Sequence, residues 1–190
     1  MKPKDDKKIE QIYKATLELV QEYGLAGITM NKIAKASKLA TGTIYIYFSG
    51  KEELINALFM ECRKASAAIY FTGYDAKMPF KKGFKTIWMN LLRYQIEKFE
   101  EAVFLDQCYH SPFIEESTKD ITRKLFQPLY KLIEQGKKEG LVKNIDTFLL
   151  LTFMKGSINE TVKHSNYSGR KISVTVMEQA FNLCWDGLKA

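Results

Sequence analysis

Apolar residues in this chain recur at three- and four-residue intervals almost from end to end, the period of helices that bury one face. Ile9, Ile12, Tyr13, Thr16, Leu17 and Val20 mark a first helix, opened by Asp5 and Asp6 and ended by Gly24. Two short helical stretches follow between Thr29 and Phe48, separated by a turn. Ile33, Ala34 and Ser37 give the first a small apolar face, onto which Leu39, Ile44 and Tyr47 can fold. A small side chain at Ala34 allows two helix backbones to cross closely. Ser49-Gly-Lys-Glu52 reads as a capping box that starts a long helix through Leu54, Leu58, Cys62 and Ile69 to about Phe71.

After a break at residues 73–79, Phe80, Phe84, Ile87, Trp88, Leu91, Tyr94 and Phe99 line the next stripe. A shorter helix runs from Glu100 to about Tyr109. Ser111 as N-cap and Pro112 at the first helical position suit another, and Pro128 must kink or divide it. Asp146 caps a helix over Phe148 to about His164, and residues 166–170 form a polar loop. The last helix carries Val174, Met177, Phe181, Cys184, Trp185 and Leu188 on one stripe. No stretch reads as a strand. The expected fold is all-α, with an N-terminal three-helix helix-turn-helix head over 1–49 and a helical body over 50–190; helix 50–71 links the two.

A helix-turn-helix places its second helix in the DNA major groove, and the residues here suit that task. The stretch from Thr41 to Phe48 has no acid. Thr41 and Thr43 can donate to base edges or phosphates, and Gly42 lets the backbone come close. Tyr45 and Tyr47 offer phenolic hydroxyls, and Ile46 can touch a thymine methyl. Phe48 and one face of Tyr45 are expected in the core. The next helix begins with free N–H groups and with Lys51 in its first turn, a phosphate clamp. Thr29, Thr43, Tyr47 and Lys51 form the phosphate-facing set; Thr41, Gly42, Tyr45 and Ile46 carry sequence preference.

At these residues the chain resembles the TetR family of bacterial repressors, whose signature runs approximately T-x-x-x-I-A-x-x-A-G-V-S-x-G-T-L-Y-x-Y-F-x-S-K-E-E-L. Thr29, Ile33, Ala34, Gly42, Thr43, Tyr45, Tyr47, Phe48, Lys51, Glu52, Glu53 and Leu54 match it. Ser37 stands where Ala is usual, Lys38 where the turn usually holds Gly, and Ala40 where Ser commonly caps the recognition helix. Lys38 is therefore expected either to accept positive φ or to alter the turn. Ala40 forgoes about 1 kcal/mol of capping unless Thr41 takes it over.

The resemblance implies a homodimer in which the last two helices pair with their two-fold mates, and a small effector bound in the body. For the dimer, Gly156, Val174, Met177, Phe181 and Trp185 are the candidate interface; the alternative is that these faces close a core within one protomer. For the effector, Trp88, Leu92, Gln95, Phe104, Tyr109, Phe113, Phe126 and Phe153 are the candidate pocket. Asn90, Asp106, Gln107 and Asn159 are further polar groups for it. The alternative use of the aromatics is plain core packing.

Composition narrows the field. In 190 residues with a formal net charge of +7, 46% are hydrophobic, enough for a large core and suited to a polyanionic partner such as double-stranded DNA. Cys62, Cys108 and Cys184 are widely spaced and read as buried apolar residues in a reducing compartment. Met1 to Lys8 has no apolar run behind it, and the longest such run, 148–154, is too short for a bilayer. A cytoplasmic protein without membrane contact follows as the expectation. Cys108-Tyr-His110 followed by Glu115 matches no common ligand spacing, so no metal, cofactor or enzymatic activity is expected. The reading is a ligand-responsive repressor on a palindromic operator. The alternative is a TetR-fold DNA-binding protein controlled by a protein partner, or one that organises DNA without a small ligand.

Overall fold

The computed structural model describes residues 6–109 and 111–190; Asp5 and His110, both used above, lie outside them. Among the described residues there are ten helices: α1 (Asp6–Gly27), α2 (Met30–Ala36), α3 (Thr41–Tyr47), α4 (Lys51–Tyr70), α5 (Phe80–Glu97), α6 (Phe99–Tyr109), α7 (Glu116–Leu125), α8 (Gln127–Lys138), α9 (Thr147–Ser168) and α10 (Val174–Leu188). The one β feature described is an isolated antiparallel bridge between Val142 and Lys189. No described helix is long and apolar enough to cross a membrane.

Two compact units are formed. One takes in the chain through Lys64 together with Lys98–Thr122; the other comprises Ala65–Glu97 and Arg123–Ala190. The division falls within α4, and α6, packed against α1, carries Lys98–Thr122 into the first unit.

In the first unit α1 buries Ile12, Ala15, Thr16 and Val20 at helical spacing, and the Thr16 hydroxyl donates to the Ile12 carbonyl at 2.7 Å. Its regular course breaks at Gly24, whose φ of 71° is one that favours glycine. The break frees the Leu25 N–H, which donates to Gln107 Oε1 of α6 at 2.7 Å. Gln107, a candidate pocket residue by sequence, is thus spent on a helix break.

In the second unit α5 is the central element, with Phe84, Ile87, Trp88, Leu91, Leu92 and Tyr94 buried. It packs against α8, α9 and α10. Phe80 lies so close over Gly136 of α8 that a Cβ there would collide with its ring. Asn90 does not face a ligand either: its Nδ2 donates to the carbonyls of Tyr70 and Thr72, satisfying the C-terminal end of α4.

Pro128 divides rather than kinks its helix: it occupies the first turn of α8, and Phe126 separates α7 from α8. Ser111 does not cap α7, which starts at Glu116; its Oγ accepts from the Phe113 N–H at 3.1 Å and closes a local turn. Asp146 caps α9 as expected, accepting from the Leu149 N–H, though α9 runs on to Ser168. The capping box also shifts by one residue. The Gly50 carbonyl accepts the first helical bond of α4, and Glu53, not Glu52, bonds back to the N–H and hydroxyl of Ser49 at 2.7 and 2.6 Å.

Candidate nucleic-acid interface

The turn between α2 and α3 is a closed hydrogen-bonded motif. Thr29 caps α2, its Oγ1 accepting from the Lys32 N–H at 3.2 Å. At the other end the Leu39 N–H donates to the Ala34 carbonyl at 3.0 Å and the Lys38 N–H to the Lys35 carbonyl at 3.2 Å. That is the Schellman pattern, whose left-handed position normally holds glycine. Lys38 fills it with φ 57°. Ser37, where alanine is usual, is buried but satisfied: its hydroxyl donates to the Ile33 carbonyl at 2.7 Å.

Ala40 has the extended backbone of an N-cap and no side chain to cap with, and Thr41 does not replace it. Lys38→Gly should therefore raise stability by up to about 1 kcal/mol through relief of the left-handed backbone. Ala40→Ser should add about 0.5–2 kcal/mol through a cap. Each is read as a higher urea midpoint at unchanged m. Unmoved midpoints would mean that neither site carries a removable strain.

The chemistry of α3 follows from which residues its partners cover. Ile44 and Tyr47 are buried, and Phe48, just past the helix end, lies tilted against Tyr13 of α1 with ring centroids 5.8 Å apart. The opposite side is left open. Gly42 is exposed, Thr41 and Thr43 are half-exposed, Tyr45 is 52% exposed and Ile46 74% exposed. So Tyr45 is less a core aromatic than the sequence suggested. Tyr47 is more of one: with its ring buried, only its hydroxyl could meet a phosphate. Thr29 is exposed, and Lys35 and Lys38 add two exposed cations to the motif that the sequence reading left out of the interface. The result is an acid-free strip of glycine, hydroxyls, a phenol and an aliphatic group on one helix face, the makings of a base-reading surface.

The comparisons with known proteins agree. Residues 12–58 match the family model described as bacterial regulatory proteins, tetR family, and residues 79–189 match the tetracyclin repressor-like C-terminal domain. The chain belongs to the TetR family. A TetR-family transcription regulator from Marinobacter aquaeolei has the same fold over 100% of this chain and 99% of its own, at a TM-score of 0.89 and 27% identity. An uncharacterized HTH-type transcriptional regulator of Haemophilus influenzae is 26% identical over 95% of both chains. The structure of the transcriptional regulator FadR from Bacillus subtilis in complex with stearoyl-CoA covers 94% of this chain and 98% of that one, at a TM-score of 0.70 and 21% identity. This TetR-family protein is accordingly a DNA-binding transcriptional regulator.

The candidate pocket residues do not all share one place. Trp88, Leu92, Gln95 and Phe126 are buried in the second unit, and Phe104 is buried in the first, where Phe113 is half-buried. Tyr109 and Phe153 are about half exposed. Phe153 sits on the outer side of α9 and covers Gly187 of α10, where a Cβ would approach its ring to 2.9 Å. Within the second unit Gln95 and Asn159 bond to each other at 2.5 Å. The buried indole N–H of Trp88 faces the Cys184 thiol without a hydrogen bond of good geometry. Burial pushes all three thiols up, Cys62 to about 12, so they stay protonated and unreactive at neutral pH.

The candidate dimer residues also separate. Phe181 is 1% exposed, with its ring edge-on to Trp88 at 5.5 Å, and Trp185 packs beside Phe80 and Phe84. Phe181 belongs to the protomer's own core, which corrects its placement in an interface, whereas Trp185 is half-buried. Gly156 and Val174 are exposed, and Met177 is half-buried. A second apolar set faces outward instead: Leu149, Phe153 and Gly156 on α9 at helical spacing, with Val176 and Leu183 on α10.

Proposed function

We propose that this TetR-family protein is a homodimeric repressor that reads a palindromic operator through α3 and is released by a small, largely apolar effector. The observation that carries the reading is the outward strip of α3, where Gly42, Tyr45 and Ile46 stand clear of the protomer. Thr41 and Thr43 flank that strip, and Thr29, Lys51 and the Tyr47 hydroxyl supply phosphate contacts that position it. The outward apolar set of α9 and α10 supports pairing of two copies, and two-fold pairing presents two reading helices to two half-sites.

Two points support an apolar effector in the second unit. Its core is rich in aromatics, with Tyr70, Phe84, Trp88, Tyr94, Phe126 and Phe181 buried. The buried indole N–H of Trp88, with the weakly accepting Cys184 thiol beside it, is a polar handle of the kind that orients a ligand in such surroundings. FadR, with the same fold, holds stearoyl-CoA, so long-chain acyl compounds lead the candidates. α4 is continuous from Lys51 to Tyr70, beginning in the unit of the reading helix and ending in the aromatic one. It is the covalent route by which occupancy can bias the reading helix.

The test is a titration of operator binding against fatty-acyl, aromatic and cationic hydrophobic compounds. An acyl compound should weaken DNA binding about a hundredfold, which requires a preference of roughly 3 kcal/mol for the non-binding state. Trp88 fluorescence should follow the same titration. If no compound changes DNA affinity, the effector reading fails and control by a protein partner takes its place.

A further inference from the structure

Lys51 opens α4 and, on the reading above, contacts operator phosphate. In the free protein its ammonium lies over the ring of Phe113, 5.0 Å from the centroid. Burial also pushes its pKa down from the ordinary lysine value, so the group has given up part of its water shell.

The segment that carries Phe113, residues 111–115, joins α6 to α7 and is seated on α4 by one side chain. Asn56, five residues after Lys51, donates from Nδ2 to the Phe113 carbonyl at 2.7 Å and accepts at Oδ1 from the Glu115 N–H at 3.0 Å. Ile114, between those two bonds, is buried, and the Ser111 hydroxyl holds the Phe113 N–H. The ring is therefore fixed by its own backbone on both sides. To turn its N–H donors onto a phosphate oxygen, the ammonium must draw away from the ring and give up part of that attraction.

We propose that Phe113 competes with DNA for Lys51, so that the seating of residues 111–115 on Asn56 sets the DNA affinity of the reading head. Seated, the segment withholds one phosphate contact per head; lifted, it releases that contact. Any event that displaces the segment thereby tightens DNA binding. The inference rests on the reading of Lys51 as a phosphate contact, and the experiment separates the two.

Binding to a duplex obtained by selection from random DNA is measured for the wild type, Phe113→Leu, Phe113→Trp, Lys51→Ala and the double variant of Lys51→Ala with Phe113→Leu. Leucine keeps apolar bulk but has no aromatic face. Phe113→Leu should tighten binding about two- to fivefold per head, and Phe113→Trp should weaken it. A purely structural role for Phe113 would give no such opposite pair. Lys51→Ala should weaken binding on every sequence and lower the salt slope by about one per head. In that background Phe113→Leu should change nothing. If Lys51→Ala weakens binding but Phe113→Leu does not tighten it, or tightens it equally without Lys51, the competition is overturned and the phosphate contact stands. If Lys51→Ala has no effect, both fall.

Discussion

Gly42→Val should give a folded dimer that no longer distinguishes its operator from other DNA. Gly42 is the second residue of α3 and is exposed, and a Cβ built on it meets nothing within 4 Å. Valine therefore adds no clash inside the protein, and its helix propensity is slightly better than that of glycine. The cost falls on the complex. A helix that reads bases lies against the floor of the major groove, and a β-branched side chain beside Thr41, Tyr45 and Ile46 holds it away. Each good base contact contributes about 1–3 kcal/mol of discrimination, so losing two costs operator affinity roughly a hundredfold or more. Phosphate contacts persist, so binding to unrelated DNA should be nearly unchanged. Fluorescence anisotropy on operator and scrambled duplexes reads both. Full operator affinity in a folded Gly42→Val protein would remove α3 from the bases.

Leu183→Asp should convert the protein to monomers that keep their helices. Leu183 is 75% exposed on α10, and Val176 lies two turns before it on the same face. Removing a leucine from water is worth about 1.5–3 kcal/mol, and two-fold symmetry counts it twice. The aspartate pair would instead bring two charges into apolar surroundings. Phe181→Asp makes the informative contrast: Phe181 is packed on Trp88, so a charge there should unfold the protomer rather than separate two. Gly156→Ala adds a third case: a Cβ at Gly156 has open space within the protomer and favours the helix, so a weaker dimer in this variant would place Gly156 against a neighbouring chain. Sedimentation at micromolar concentration with circular dichroism distinguishes these outcomes. A wild-type monomer, or a Leu183→Asp dimer of unchanged strength, would contradict the interface.

The helix-turn-helix was legible because everything that specifies it is local. The spacing of Ile33, Ala34 and Ile44, the turn at Lys38 and the missing cap at Ala40 lie within about a dozen residues of one another. The left-handed backbone of Lys38 could be anticipated from the one residue type that did not suit it. Asp146 was legible for the same reason, since a cap acts on its own turn; Pro128 marked an interruption, but a kink and a division of the helix look alike in sequence.

What sequence could not assign was the side of a helix that faces inward when both sides are apolar. α10 carries Phe181, Cys184 and Leu188 on one face and Val176 and Leu183 on another; helical period alone fits either to the core. Pairings between distant residues were equally hidden. Gln107 serves a break in α1, Asn90 the end of α4, and Asn56 the segment at Phe113. A lone Asn or Gln in a sequence does not reveal which backbone group it satisfies. The shift of the capping box from Glu52 to Glu53 came from a helix start one residue later than Ser49 implied.

A dimer that reads DNA through two copies of α3 requires a two-fold symmetric site. The measurement that tests it most directly is selection of bound duplexes from a random-sequence pool by the wild-type protein, with Gly42→Val run in parallel. The wild type should enrich one palindromic motif, with half-sites spaced by whole turns of the double helix, and the variant should lose it. Recovery of no symmetric motif, or of the same motif by both proteins, would contradict it.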